Sequence, residues 1–198
     1  ADFTITEPGV YDAMPEHVYH ADPVPDWSLS KSGAQLLVPP NTPAHYLWTR
    51  SHPRPATKAL DIGTAVHELV LGVGAGVAVI PEDILARNGA ASTSEARAFK
   101  AEAEAAGQTV LKPTEWAEVK AMHDTLREHP IAGRLFDPDR GRPEQSMFWR
   151  DQQHGIWRRA RVDWLPNPGS TKRPVIVDYK TARSADPRTW AKAATDLG

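Results

Sequence analysis

From residue 143 onward the chain stops reading as helices and reads as closely spaced strands. Gln145 to Arg150 is strand-like, Asp151 to Gly155 is a turn, and Ile156 to Leu165 alternates in polarity. Pro166 to Arg173 is a polar loop, and Pro174 to Lys180 is a dense β-branched run. Three consecutive strands on short connections pair antiparallel with one another and need cover on a face. The 198 residues are enough for one compact domain with a real core, or at most one domain plus a small appendage.

The preceding segment supplies helices. Residues 1–27 carry Pro8, Gly9, Pro15, Pro23 and Pro25 and read as an irregular, extended lead-in. Ser30 precedes a short helical stretch ending near Leu37, and Thr42-Pro43 opens a helix to about Arg50. Over Thr57–Leu71, Leu60, Ile62, Gly63, Val66, Leu69 and Val70 recur at helical spacing, with Gly63 and His67 on one face. Residues 77–80 suggest a short strand, and Thr109 to Leu111 another. Ser92 and Glu95 form a capping-box pattern for an Ala/Glu-rich helix closed by Gly107, and a long helix runs from Thr114 to before Pro130. A last helix follows Asp186-Pro187. The reading is a single domain over 1–198, with a lead-in of 1–56, a helical part of 57–142, and a three-stranded core plus following helix over 143–198.

No cysteine is present, which removes disulfide scaffolds, thiolate metal sites and a cysteine nucleophile. Any metal sits on oxygen and imidazole. The longest apolar segment, Val73 to Ile80, is short and broken by glycine, and Asp2, Glu7 and Asp12 stand where a signal peptide would be basic. A cytoplasmic chain with no membrane partner is expected. The net charge of −2 argues against a nucleic-acid partner only until its distribution is read. Ten basic and four acidic residues between Arg150 and Lys192 make that segment +6, leaving −8 for the rest.

Period-two geometry in the second strand puts Trp157, Arg159, Arg161 and Asp163 on one face. In the third, Asp178 and Lys180 share a face. Ionisable groups ending an apolar run serve each other or a ligand. Asp163 and Asp178 at the ends of neighbouring strands can hold a hard divalent cation such as Mg²⁺, with the backbone carbonyl between Asp178 and Lys180 as a further oxygen. Lys180 beside them can orient water or neutralise charge on a phosphate. An isolated D-x-K is more often a surface ion pair, so this reading leans on Asp163, the flanking arginines and the helix upstream.

The order Gly63-Thr64-Ala65-Val66-His67-Glu68, then Glu144 with the strand to Trp149, then Arg161-Val162-Asp163, then Val177-Asp178-Tyr179-Lys180-Thr181, resembles the PD-(D/E)xK nuclease superfamily. Within it the chain is most similar to RecE-type exonucleases of phages and prophages. The likeness extends to Tyr19-His20-Ala21-Asp22, Leu29-Ser30-Lys31-Ser32-Gly33 and Pro43-Ala44-His45-Tyr46. It implies an α/β (α+β) fold, a restriction-endonuclease-like core with a mixed central sheet flanked by helices. It also implies Mg²⁺-dependent 5′ to 3′ degradation of double-stranded DNA ends in phage recombination, with Mn²⁺ as a substitute metal. A single-strand-annealing recombinase and a homo-oligomeric ring are the partners it suggests. Carried over by position, Asp163, Asp178 and the Tyr179 carbonyl are metal ligands, Lys180 is the catalytic lysine, His67 reaches the metal, and Glu144 matches a recurrent acidic position.

Arg159, Arg161 and Arg183 are candidate DNA contacts, because a guanidinium fork matches phosphate oxygens, and Thr181, just after Lys180, is a candidate phosphate contact. Trp149, Trp164 and Trp190 read as core or interface. Trp157 is a candidate base-stacking ring, because it shares a face with Arg159, Arg161 and Asp163. Glu68 is expected in solvent. The family's further strand and Gln/Tyr motif do not follow Trp190, so the C-terminal part of the core is expected to be cut off or supplied otherwise. Two alternatives stand beside the exonuclease: a single-strand or flap-directed RecB-like nuclease, and a non-catalytic DNA-binding or assembly module on the same fold.

Overall fold

A computed structural model describes residues 4–52, 59–169, 173–182, 184 and 186–197. In chain order the elements are β1 (Gly9–Tyr11), α1 (Glu16–Ala21), β2 (Ser28–Leu29), α2 (Lys31–Gln35), α3 (Pro43–Ser51), α4 (Ala59–Leu71) and β3 (Val77–Val79). They continue with α5 (Ser94–Ala105), β4 (Thr109–Leu111), α6 (Pro113–Glu128), α7 (Ala132–Leu135), β5 (Gly141–Arg150), β6 (Trp157–Pro166) and α8 (Pro187–Leu197).

The two alternating segments form the expected hairpin. β5 and β6 pair antiparallel from Arg150↔Trp157 to Gly141↔Pro166. The turn between them is held by the Asp151 carboxylate, which accepts the backbone N–H groups of Gln153 and His154. The lead-in is more regular than its proline content suggests. β1 adds antiparallel to β5 and β2 adds parallel to β6, giving a mixed sheet of order β1-β5-β6-β2. Strands of three and two residues are too short to show alternation, so only the neighbour's ladder defines them. β3 and β4 pair parallel in a separate two-stranded sheet.

The third expected strand does not form as a strand. In Pro174–Lys180 only Val177 pairs, with Trp164 of β6, through backbone bonds of 3.1 and 3.2 Å. Pro174 has no N–H to donate, and the N–H of Tyr179 turns to the Asp163 carboxylate at 2.6 Å instead of to a strand carbonyl. The segment therefore lies against β6 at one point and leaves the ladder on both sides of it.

The helix starts follow their caps. Ser30 and Thr42 accept the N–H groups of Gly33 and His45, as their positions predict. The cap of α5 is Thr93, not Ser92: its hydroxyl accepts the Ala96 N–H at 3.1 Å. α6 begins at Pro113, with the Glu115 carboxylate accepting the Lys112 N–H. Two cores result. Ala65, Val66 and Val70 of α4, Val119 of α6, Phe136 and Trp164 form one, with Val177 and Tyr179 packed against it. Ile5, Met14, Tyr19, Val24, Phe148 and Trp157 form the other. The first presses α4 against the Trp164 end of β6, which is the end that carries Asp163. No helix among the described residues is long and apolar enough to cross a membrane.

Candidate active site

The face of β6 that carries Trp157, Arg159, Arg161 and Asp163 is matched across the ladder by Phe148 and Ser146, which pair with Arg159 and Arg161. The register through Gln145↔Val162 and Pro143↔Trp164 then sets Glu144 opposite Asp163. Glu144 adopts φ +53°, a conformation few side chains take, at the place where the ladder opens. Its carboxylate pairs with the Arg161 guanidinium, which also donates to the Met14 carbonyl at 2.9 Å and to Ser146 Oγ at 3.0 Å. Arg161 thereby ties the lead-in, β5 and β6 together behind the carboxylate.

α4 brings the third group. His67 Nε2 lies 3.4 Å from Asp163 Oδ1 and 3.6 Å from Glu144 Oε1, and the three ligand atoms lie within 4.8 Å of one another. Burial works against a charged imidazole, but the Asp163 hydrogen bond and the two carboxylates outweigh it and raise the His67 pKa above its ordinary value. Burial likewise resists ionisation of Asp163. The His67 bond, the Tyr179 N–H and the Lys180 charge prevail and hold its carboxyl below the usual range.

These groups open into a cavity of about 1030 Å³ bounded by α1, α4, the loop after α4 and the segment 179–181. Lys180 and Thr181 line it. The Thr181 hydroxyl lies 3.3 Å from where a Cβ on Gly63 would project, so the glycine lets α4 close onto the residues after Lys180.

Several expected site residues are placed differently. Asp178 is outside the His67–Glu144–Asp163 cluster; its carboxylate takes Lys180 Nζ at 2.8 Å and faces solvent. Because Val177 and Tyr179 pack inward against the first core, the residue between them turns outward. Trp157 is 4% exposed in the second core, with Arg150 over its ring at 4.8 Å, so neither ring face is open to a base. Arg159 points along the same face but is held by the buried Asp22 carboxylate at 2.8 Å and by Ser28. It braces β2 against β6 and is not exposed to a phosphate. Arg161 is committed to Glu144. Arg183 lies outside the described residues. Of the other tryptophans, Trp164 is core, while Trp149 and Trp190 are partly exposed.

Glu68 is not in solvent. It lines the cavity beside His67, and its carboxylate accepts the Gly76 N–H at 3.0 Å, with burial pushing its carboxyl up. The backbone at Gly74 packs so closely on it that a Cβ there would collide with the carboxylate. The alternation Gly72, Gly74, Gly76 directly after a helix is the sequence signal for such a close approach. Glu16 and His20, 3.5 Å apart, complete the α1 side of the cavity; the His20 bond holds the Glu16 carboxyl low.

The donor set fits a divalent cation. Neighbouring ligands of an octahedral ion at about 2.1 Å stand about 3 Å apart, close to the 3.4 and 3.6 Å separations around His67. Two carboxylates and one imidazole give mixed oxygen and nitrogen ligation of the kind borderline and hard cations accept.

A comparison with curated proteins finds none that matches the chain. Residues 34–197 match a family described as a PDDEXK-like domain of unknown function (DUF3799). The matched span contains α4, β5 and β6, which build the cluster, and the 174–180 segment, whose Tyr179 N–H holds Asp163, and the mixed sheet flanked by helices is the architecture of that superfamily. On that match and that architecture, the chain belongs to the PDDEXK-like family.

Proposed function

We propose that the protein is a divalent-metal-dependent deoxyribonuclease acting on duplex DNA ends in the manner of RecE-type 5′ to 3′ exonucleases. The observation that carries this reading is the convergence of His67, Glu144 and Asp163 within 4.8 Å, in a cavity whose rim bears Lys180. His67, Glu144 and Asp163 would hold the ion, with the Tyr179 carbonyl as the further oxygen that family position suggests, while Asp178, turned to solvent with Lys180, stays outside that set. What a cation bound there supplies is polarisation of a phosphoryl oxygen and a more acidic coordinated water.

The chain's own groups do the rest. Lys180, 53% exposed and within electrostatic reach of both His67 and Asp163, offers a mobile ammonium to a phosphate entering the cavity. Charge building on that phosphate draws the ammonium from Asp178. Arg161 fixes the Glu144 carboxylate, and the Tyr179 N–H fixes that of Asp163, so both are oriented before substrate arrives. Thr181 stands beside Lys180 as a hydroxyl donor to the same phosphate.

The test is digestion of end-labelled linear duplex, covalently closed circular duplex and single-stranded DNA with Mg²⁺ or Mn²⁺. Loss of label from linear duplex alone, absent in Asp163→Asn and Lys180→Ala, is the expected result. Preference for single strands or flaps points to a RecB-like specificity. No cleavage, together with no carboxylate-dependent metal binding, identifies a non-catalytic module and overturns the proposal.

A further inference from the structure

The stretch Trp27 to Leu60 contains no Asp or Glu, although the chain's average would place about four there, and it carries Lys31, Arg50, Arg54 and Lys58. Its described part folds into β2, α2 and α3, and α3 buries none of its residues. A nine-residue helix with no buried side chain gains little from the core, yet this one carries Tyr46, Leu47 and Trp48. Trp48 is 59% exposed and Leu47 55%, and Trp27 beside the helix is 60% exposed. Lone exposed apolar residues are ordinary, but open indoles on two sides of one acid-free helix, Trp48 beside Leu47 and Trp27 against Arg50, call for an occupant.

The rings are arranged, not scattered. The Trp48 ring lies parallel to that of His52, with centroids 4.4 Å apart and planes 7° apart, and His52 Nδ1 is 2.9 Å from the Trp48 carbonyl. One indole face is backed by the imidazole while the side chain stays largely open to solvent. On the opposite strip of the helix, Arg50 lies over Trp27 at 4.6 Å and donates to the Tyr46 hydroxyl. The Arg50 guanidinium is steadied by the buried Asp22 carboxylate at 3.4 Å, which Arg159 of β6 shares at 2.8 Å. The nearest exposed acid along the chain, Asp26, is directed to Arg150 at 3.9 Å. Flat rings pre-fixed by stacking, a fixed cation and a positive balance match a partner that is itself flat-ringed and polyanionic. α1, about 9 Å of helix, links the Asp22 anchor to the cavity wall formed by Glu16 and His20.

From this we infer that α3 and Trp27 form a binding surface for single-stranded nucleic acid, outside the metal-binding cavity, on which bases stack at Trp48 and Trp27. The inference rests on the nuclease reading only for its biological setting: a strand left by digestion has a surface to follow next to the cavity. Its test needs no cleavage.

The experiment is fluorescence anisotropy of a labelled oligothymidylate of about 15 nucleotides with the full chain in EDTA. A matched oligomer of abasic sites has the same phosphates and no rings. Wild-type protein is expected to bind the oligothymidylate and to bind the abasic strand at least about fivefold more weakly. Trp48→Ala and Trp27→Ala are each expected to lose about fivefold or more for oligothymidylate and little for the abasic strand. Ile131→Ala, an exposed apolar residue elsewhere, serves as the control and is expected to bind as wild type. Equal binding of the two strands, or unchanged binding in both tryptophan variants, overturns the inference. A change of oligomeric state in Trp48→Ala by light scattering, with oligomer binding unchanged, overturns it in favour of a second copy of the chain. Failure of the nuclease reading shows separately, as absence of metal-dependent cleavage with these affinities intact.

Discussion

Asp163 is the residue on which the site converges: one oxygen faces His67 and the other takes the Tyr179 N–H. Asp163→Asn keeps the shape but removes the charge. It is expected to abolish metal-dependent cleavage, by about a hundredfold or more, a loss typical of removing an electrostatic group at a reacting centre; single-turnover digestion of labelled duplex measures it. The same pair makes the metal-free protein pH-sensitive. The raised His67 value means its contribution is complete below the ordinary value of 6.5 and is lost as pH rises through the raised one. The lowered Asp163 value means its contribution is complete above 3.8 and is lost as pH falls through the lowered one. In chelator, stability from this pair is therefore greatest between about 3.8 and 6.5. Melting temperature against pH is expected to flatten on the alkaline side in His67→Gln; an unchanged slope would remove the pair as its source.

At the scale of elements, close approaches locate the site. Gly141 opens β5 directly against the Trp164 indole, and any Cβ there would overlap the ring. Gly141→Ala is expected to destabilise the protein by about 1–3 kcal/mol, the usual cost of forcing atoms into a packed core, and urea unfolding reads it. Thr93→Ala removes the cap of α5 and is expected to cost about 1 kcal/mol in the same assay. No residue of α5 lines the cavity, and Thr93 caps the end of the helix away from Gly107, which does, so digestion by that variant is expected to match wild type. The caps at Ser30 and Thr42, the long helices and the β5–β6 hairpin were legible because each rests on a local pattern: a hydroxyl before a helix, an apolar face, a strict alternation. β1 and β2 were not legible, because a strand of two or three residues exists only through its neighbour.

At the scale of the whole molecule, charge is segregated, with a basic segment over 150–192 in a chain of net charge −2. Binding of metal to the folded state alone couples to that state's stability. At a hundred times its dissociation constant, Mg²⁺ or Mn²⁺ is expected to add about 2.7 kcal/mol, or roughly 5–10 °C in melting temperature, and to add nothing in a protein lacking both Glu144 and Asp163. Differential scanning calorimetry with and without chelator decides it. By itself the sequence determined which residues form the long helices and the hairpin, though not the short α1 and α7, and that Arg159, Arg161 and Asp163 share a face, because periodicity fixes side-chain direction wherever the backbone is regular. The Gly63 spacing placed His67 on an apolar helix face, and only the family resemblance named it as a metal ligand. Only the tertiary structure decided that Glu144 joins the cluster while Asp178 turns away, that Trp157 is core, and that Arg159 and Arg161 brace the site. The reason is physical: Glu144 sits where the backbone leaves ordinary strand geometry, Asp178 where the chain leaves the ladder, and an arginine's role is set by the carboxylate that folding brings to it.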